Sequence, residues 1–182
     1  VLEVNRTEVA FPLREKLPND QLRAGDLLKA VITQVLKGYQ GPQIIVSRSS
    51  SRFLAKLLEN EIPEIANGTI EIKDIVRQAG DRSKVAVASR ERDIDPVGAC
   101  IGVKGNRILA ISKELQGEKI DIIEWSPDIV AYAKAALSPA RVERLQIASK
   151  VEKAMLAIVP VDQLSLAIGK KGINVKLASR LV

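Results

Sequence analysis

Two short stretches hold glycines three apart with lysine between them: Gly102-Val-Lys-Gly105 and, 67 positions later, Gly169-Lys-Lys-Gly172. Such a stretch has a chemistry of its own. Without a Cβ the backbone can turn sharply, and another chain can lie directly against it. A lysine at the tip brings an ammonium to whatever docks there, and N–H groups opening a following helix favour anionic oxygens. A sugar-phosphate chain is the partner that suits this combination. The spacing alone carries little, because at ~7% glycine it arises by chance about once in a chain of this length. A third instance, Gly38-Tyr-Gln-Gly41, is followed by Pro42 between two β-branched runs and reads as a hairpin turn. The other two stand out through shared surroundings. Each has an aliphatic residue just before it (Ile101, Ile168) and another three places after the second glycine (Ile108, Val175).

Basic charge collects at the same two places. Residues 169–182 hold Lys170, Lys171, Lys176 and Arg180 with no acid, and residues 102–113 hold Lys104, Arg107 and Lys113 with none. The net charge of +6 owes nothing to histidine, since the chain has none. One lysine-rich helix is ordinarily a solvated face; two coinciding with glycine loops point to a polyanion. Aromatic residues make up only 3%, so stacking of bases on rings is not the main source of affinity.

The same composition argues against an enzyme. Lacking histidine, the chain has no general base of the usual kind, no Ser-His pair and no zinc site. Cys100 precedes the first loop on an apolar helix and reads as a small core residue rather than a nucleophile. The carboxylate pairs Asp93/Asp95 and Asp121/Glu124 read as caps and solvated faces, and no acidic cluster for magnesium is visible. Neither loop continues as a Walker loop. No cofactor is expected. A lone cysteine excludes an internal disulfide and suits a reducing cytosol. No stretch reaches the ~20 apolar residues needed to span a bilayer. A cytoplasmic protein without a membrane partner is therefore expected, and a monomer is expected beside it.

The elements around the loops repeat. Thr69–Gln78 and Lys84–Ser89 form a hairpin about Gly80-Asp81; Asp95 caps a helix that opens with Pro96 and reaches the first loop. Asn106–Leu115 is the next helix, Gly117 ends it, and Lys119–Trp125 is a third strand. The second copy starts with a helix over Asp128–Leu137, whose apolar stripe (Ile129, Val130, Ala133, Ala136, Leu137) needs a surface to bury it. Strands near Arg141–Ala148 and Lys153–Pro160 follow; Asp162, in the place of Asp95, caps the helix leading to Gly169, and Ile173–Leu181 is the last helix. Ahead of both copies, Val1–Val4, Thr7–Leu13, Leu27–Leu36 and Gln43–Ser47 read as four strands of a small barrel that lacks one. Ser50–Asn60 then reads as a helix stopped by Pro63. The chain starts with Val inside a strand, and the second copy ends without a closing strand; both fit a piece of a longer polypeptide.

Strand, strand, helix, glycine loop, helix, strand describes a KH module, which clamps about four nucleotides of single-stranded RNA at its loop. The fold class expected is α+β, resembling a partial S1/OB-fold β-barrel (residues 1–51) followed by two type II KH domains (52–126 and 127–182). The RNA-contacting residues expected are Ile101, Gly102, Val103, Lys104, Gly105, Asn106, Arg107 and Ile108. In the second copy they are Ile168, Gly169, Lys170, Lys171, Gly172, Ile173, Asn174, Val175 and Lys176. Ile101, Ile108, Ile168 and Val175 are expected to form an aliphatic floor under unstacked bases. A DNA-reading helix-turn-helix also turns on glycine, but lacks the hairpin that precedes each loop here.

Longer segments carry a resemblance. Leu22-Arg-Ala-Gly-Asp26 with Gln43-Ile-Ile-Val-Ser47 resembles the latter part of an S1 domain, whose aromatic candidates here are Phe11 and Tyr39. Ile62-Pro-Glu-Ile-Ala66, Arg82-Ser-Lys-Val-Ala-Val-Ala88, Asp95-Pro-Val-Gly-Ala-Cys100, Gly117-Glu-Lys-Ile-Asp-Ile-Ile123 and Asp162-Gln-Leu-Ser-Leu-Ala-Ile-Gly169 are similar to the NusA family of bacterial transcription factors. That resemblance implies a factor bound to RNA polymerase near its RNA exit channel, contacting the nascent transcript and modulating pausing, termination and antitermination. Two rivals use the same modules. Polynucleotide phosphorylase-like enzymes place one KH before S1, the reverse of the order here. Ribosomal RNA-binding proteins with a type II KH domain do not suit a tandem pair behind an S1 barrel.

Overall fold

In the computed structural model, which describes residues 1–38 and 44–182, the described residues up to Ser47 make two linked ladders rather than a closed barrel. β1 (Leu2–Val4) and β2 (Thr7–Val9) pair antiparallel about Asn5-Arg6, and β3 (Val31–Val35) pairs antiparallel with β4 (Ile44–Ser47). A parallel bridge between Ala10 and Ile45 joins them, with Val46 N–H donating to the Ala10 carbonyl at 3.0 Å. The strand expected over Thr7–Leu13 stops short because Pro12 has no N–H to give and a fixed φ; a 3-10 turn follows over Leu13–Glu15. The strand expected from Leu27 begins only at Val31. Tyr39, Gln43 and all of the expected Gly38–Pro42 turn except Gly38 lie outside the described residues.

Apolar spacing and capping shape the next unit. α1 (Ser51–Glu61) starts where Ser50 Oγ accepts the Arg52 N–H, and it buries Phe53, Leu54, Leu57 and Leu58 on one face. Pro63 ends α1, as expected, and also opens α2 (Pro63–Ala66), a short helix not anticipated from the sequence. β5 (Ile70–Gln78) and β6 (Arg82–Ser89) form an antiparallel hairpin. α3 (Pro96–Ile101), α4 (Asn106–Glu114) and β7 (Lys119–Glu124) follow, and β7 returns parallel to β6, giving the order β5-β6-β7. One face of this sheet, through Val85 and Val87, packs on Leu54 and Leu58 of α1, Cys100 of α3 and Ile111 of α4.

The second unit repeats the plan. α5 (Ile129–Ala136) is capped by Asp128, which accepts the Val130 N–H at 3.0 Å; β8 (Arg144–Ser149) and β9 (Ala154–Ile158) pair antiparallel. α6 (Leu164–Ile168) and α7 (Ile173–Leu181) complete it. One expected parallel fails. Asp95 caps α3 by accepting the Val97 N–H at 3.0 Å, but Asp162 lies inside a 3-10 turn (Val161–Gln163) and accepts from the Gln163 side chain instead. The residue at the cap position, Gln163, has helical rather than extended backbone, so no side chain closes α6.

The two units share a core. Ala86 and Ile123, on the far face of the first sheet, pack with Tyr132 and Ala136 of α5 and with Ala178 and Leu181 of α7. The stripe on α5 thus finds its cover through Ala133, Ala136 and Leu137, while Ile129 stays exposed. Buried charge stitches the joints. Arg48 is held by Asp20, Glu114 and the Lys29 carbonyl at 2.6 Å, and lies over the Phe53 ring. Arg77 forms a two-pronged pair with Glu118 at 2.8 Å and donates to the carbonyls of Arg48 and Ser50. Among the described residues, no helix is long and apolar enough to cross a membrane.

Candidate nucleic-acid interface

Each glycine loop is a helix end, a 3-10 turn and a helix start fused within four residues. Gly102 leaves α3 at φ 76°, ψ 174°, and Gly169 leaves α6 at φ 76°, ψ 166°. Lys104 and Lys171 then take up the left-handed region at φ 53°, and Gly105 and Gly172 do so at φ 76° and 71°. The two loops have the same backbone. A left-handed lysine costs about 1–2 kcal/mol, strain that two independent copies both retain.

The two glycines of each loop serve different needs. A Cβ at Gly102 would lie 2.8 Å from Arg107 Cγ, and one at Gly169 would lie 2.7 Å from Asn174 Cβ. The first glycine is therefore required by the helix behind the loop. The second has no neighbour nearer than 3.8 Å, at Leu109 in one copy and Lys176 in the other, and is required by its φ alone.

The expectation that N–H groups at the helix start stand free is corrected in part. Gly105 N–H donates to the Gly102 carbonyl and Asn106 N–H to that of Val103; Gly172 and Ile173 repeat these bonds. The cations at the tips are open by contrast. Lys104, Lys170, Lys171 and Lys176 are exposed and form no ion pair among the described residues.

The other residues expected at the site divide. Ile101, Ile168 and Val175 are exposed beside the loops, and Val103 is 79% exposed at a tip. Ile108 is half-buried against the first core, so it supports the loop more than it floors a groove. Asn106 is exposed and Ile173 half-buried. Asn174 is completely buried, and Arg107 is turned inward to Glu64 and the Ala99 carbonyl. Both spend their polar groups on partners within the protein. Sequence reasoning passed over Leu109, 63% exposed one turn into α4, and Leu164 and Leu166, exposed on α6. Their signal was an apolar residue on the outward face of a short helix. The first loop thus presents Val103, Leu109 and one lysine, the second three lysines.

Cys100 sits under the first loop, fully buried. Burial pushes its thiol up to about 11, with help from the nearby Glu64 carboxylate. It is a packed core atom at neutral pH.

Two family models match in tandem: the NusA-like first KH domain over residues 48–125 and the NusA-like second KH domain over residues 129–182. Relatives are similar along the whole chain. It is 48% identical to the transcription termination/antitermination protein NusA of Halalkalibacterium halodurans over 99% of its length, and 48% identical to that of Bacillus subtilis over the same share. The chain belongs to the NusA family.

The NusA protein of Thermus thermophilus is 46% identical over 99% of this chain. The chain covers 47%, 48% and 46% of these three relatives, so it spans about half the length of the proteins it matches. The NusA match favours neither the phosphorolytic-enzyme reading nor the ribosomal one. It also places both glycine loops inside KH domains, an RNA-binding module.

Proposed function

We propose that this stretch of a NusA protein grips single-stranded nascent RNA with its two KH loops while the whole protein acts at RNA polymerase. In that role it modulates pausing, termination and antitermination as a cytoplasmic monomer without catalytic activity. The observation that supports this most is the duplicated loop. Two copies hold the same strained backbone and present lysines that the described protein leaves unpaired. The residues offered to RNA are Ile101, Gly102, Val103, Lys104, Gly105 and Leu109 in the first copy. In the second they are Ile168, Gly169, Lys170, Lys171, Gly172, Val175 and Lys176.

Charge reversal tests the proposal. Val103→Asp with Lys104→Asp, and Lys170→Asp with Lys171→Asp, leave all four glycines in place. Each pair weakens binding of a labelled single-stranded RNA, and the combination nearly abolishes it. If about five phosphates are neutralised in the parent, log K falls against log salt with a slope of about −3.5; the second loop, with more lysines, carries more of that slope. Unchanged affinity with intact circular dichroism would move the RNA site elsewhere. Polymerase contact is tested by co-purification of the full-length protein with RNA polymerase rather than with ribosomal subunits.

A further inference from the structure

We infer that Arg107 and Asn174 are positioning residues, each fixing its glycine loop against the helix that precedes the sheet, and that neither gives its polar group to RNA. The inference rests on the reading of the loops as RNA contacts.

The two residues stand at the same place, two past the second glycine. Arg107 Nη1 donates to the Ala99 carbonyl at 2.6 Å and to Glu64 Oε2 at 2.9 Å. Asn174 Nδ2 donates to the carbonyls of Leu166 at 3.2 Å, Ala167 at 3.0 Å and Leu137 at 3.1 Å. Ala99 and Leu166 correspond, each three residues before the first glycine of its loop. Glu64 and Leu137 correspond in a looser way: Glu64 lies in α2 and Leu137 caps α5, the helices that run into each hairpin. Both copies therefore contain one three-way joint between the helix before the loop, the helix after it and the helix ahead of the sheet. The side chain that makes the joint also fills the space over the first glycine, where a Cβ would strike it.

The chemistry of the joint differs between copies. The first is ionic and part-exposed, with the Arg107 and Glu64 side chains 27% and 29% exposed. The second is neutral and sealed. Three carbonyls share the Asn174 amide hydrogens, which settles its orientation, and Oδ1 is buried with no donor among the described residues.

Glu64 separates the two roles for Arg107, because they predict opposite signs. If the guanidinium served a phosphate, Glu64 would compete with RNA, and Glu64→Gln would tighten binding. If Arg107 positions the loop, Glu64→Gln loosens the joint and weakens binding. The experiment uses the full 182-residue chain and a labelled ten-nucleotide single-stranded RNA, titrated over a range of salt. Amide hydrogen exchange is followed at residues 102–105 and in β6.

Glu64→Gln and Arg107→Gln are each expected to weaken binding about ten-fold, as for loss of a charged hydrogen bond. The salt slope stays unchanged, exchange at 102–105 speeds up, and β6 keeps its protection. Arg107→Lys, which retains a donor for Glu64, keeps most of the affinity. Tighter binding by Glu64→Gln, a slope smaller by about 0.7 for Arg107→Gln, or unchanged exchange at the loop would each overturn the inference. The Val103→Asp, Lys104→Asp variant serves as control. Should it bind RNA as before, the RNA reading of that loop fails, and the exchange rates alone decide whether Arg107 sets its position.

Discussion

Lys84, on the central strand of the first KH sheet, donates from Nζ to the Ser138 carbonyl at 2.8 Å, across the boundary between the two KH units. The same ammonium reaches Asp121 at 3.0 Å, and Lys84 is fully buried. Lys84→Met keeps the apolar stem and removes the donor, leaving a buried carbonyl unmet. A loss of about 2–3 kcal/mol is expected, read from urea unfolding at pH 7, and a loss under 0.5 kcal/mol would count against the joint. Burial lowers the Lys84 pKa below 10.5, against the pull of Asp121. Between the folded value and 10.5 the unfolded chain therefore binds more protons, so this residue makes stability rise with pH across that window. In Lys84→Met the rise is expected to vanish.

Cys100 works in the opposite sense. Its thiol keeps its proton up to about 11 in the folded protein, against 9.0 ordinarily. The unfolded chain loses that proton first, so the contribution to stability is complete below pH 9 and is lost as pH rises towards 11. Two units of pKa mean about a hundred-fold less thiolate near pH 8. A disulfide reagent is expected to modify Cys100 only as fast as the protein unfolds. Labelling at the rate of a free thiol would contradict its burial.

The two glycines of a loop should differ under substitution. Gly102→Ala meets both an unfavourable φ and the Arg107 stem, while Gly105→Asn meets the φ alone, which asparagine tolerates. Gly102→Ala is expected to cost about 2–3 kcal/mol, and Gly105→Asn under 1 kcal/mol. Equal costs in thermal unfolding would refute the division.

Arg48 joins the N-terminal ladders to the first KH unit. Arg48→Met strands the buried Asp20 carboxylate and unties Glu114. A cost of about 3–5 kcal/mol is expected, paid locally. Hydrogen exchange should quicken in β1–β4 while β6 stays protected; uniform loss of protection would show one cooperative unit instead.

Much of the KH repeat was legible because local signals agreed. Val85 and Val87 alternate with Ala86 along β6, Asp95 and Pro96 mark a helix start, and Gly117 marks an end. Where local signals stood alone they misled. Asp162 mirrors Asp95 in sequence, yet a 3-10 turn delivers the chain to α6 with no extended residue to cap from. The inward turn of Arg107 and Asn174 was hidden because Glu64 and Leu137 lie 43 and 37 residues away. Arg48, Arg77, Lys84 and Glu118 read as ordinary charged residues for the same reason. Their charged partners lie 28 to 66 residues distant, beyond any periodicity.

Ala86 and Ile123 give the first sheet a second apolar face, filled by helices belonging to the next copy. Two units of similar plan are thereby joined through one shared layer of core. A cut at Ser126-Pro127 would strip core from both pieces. A change in α7 is felt in β5 and β6 of its neighbour, and the pair answers to substitution as one object.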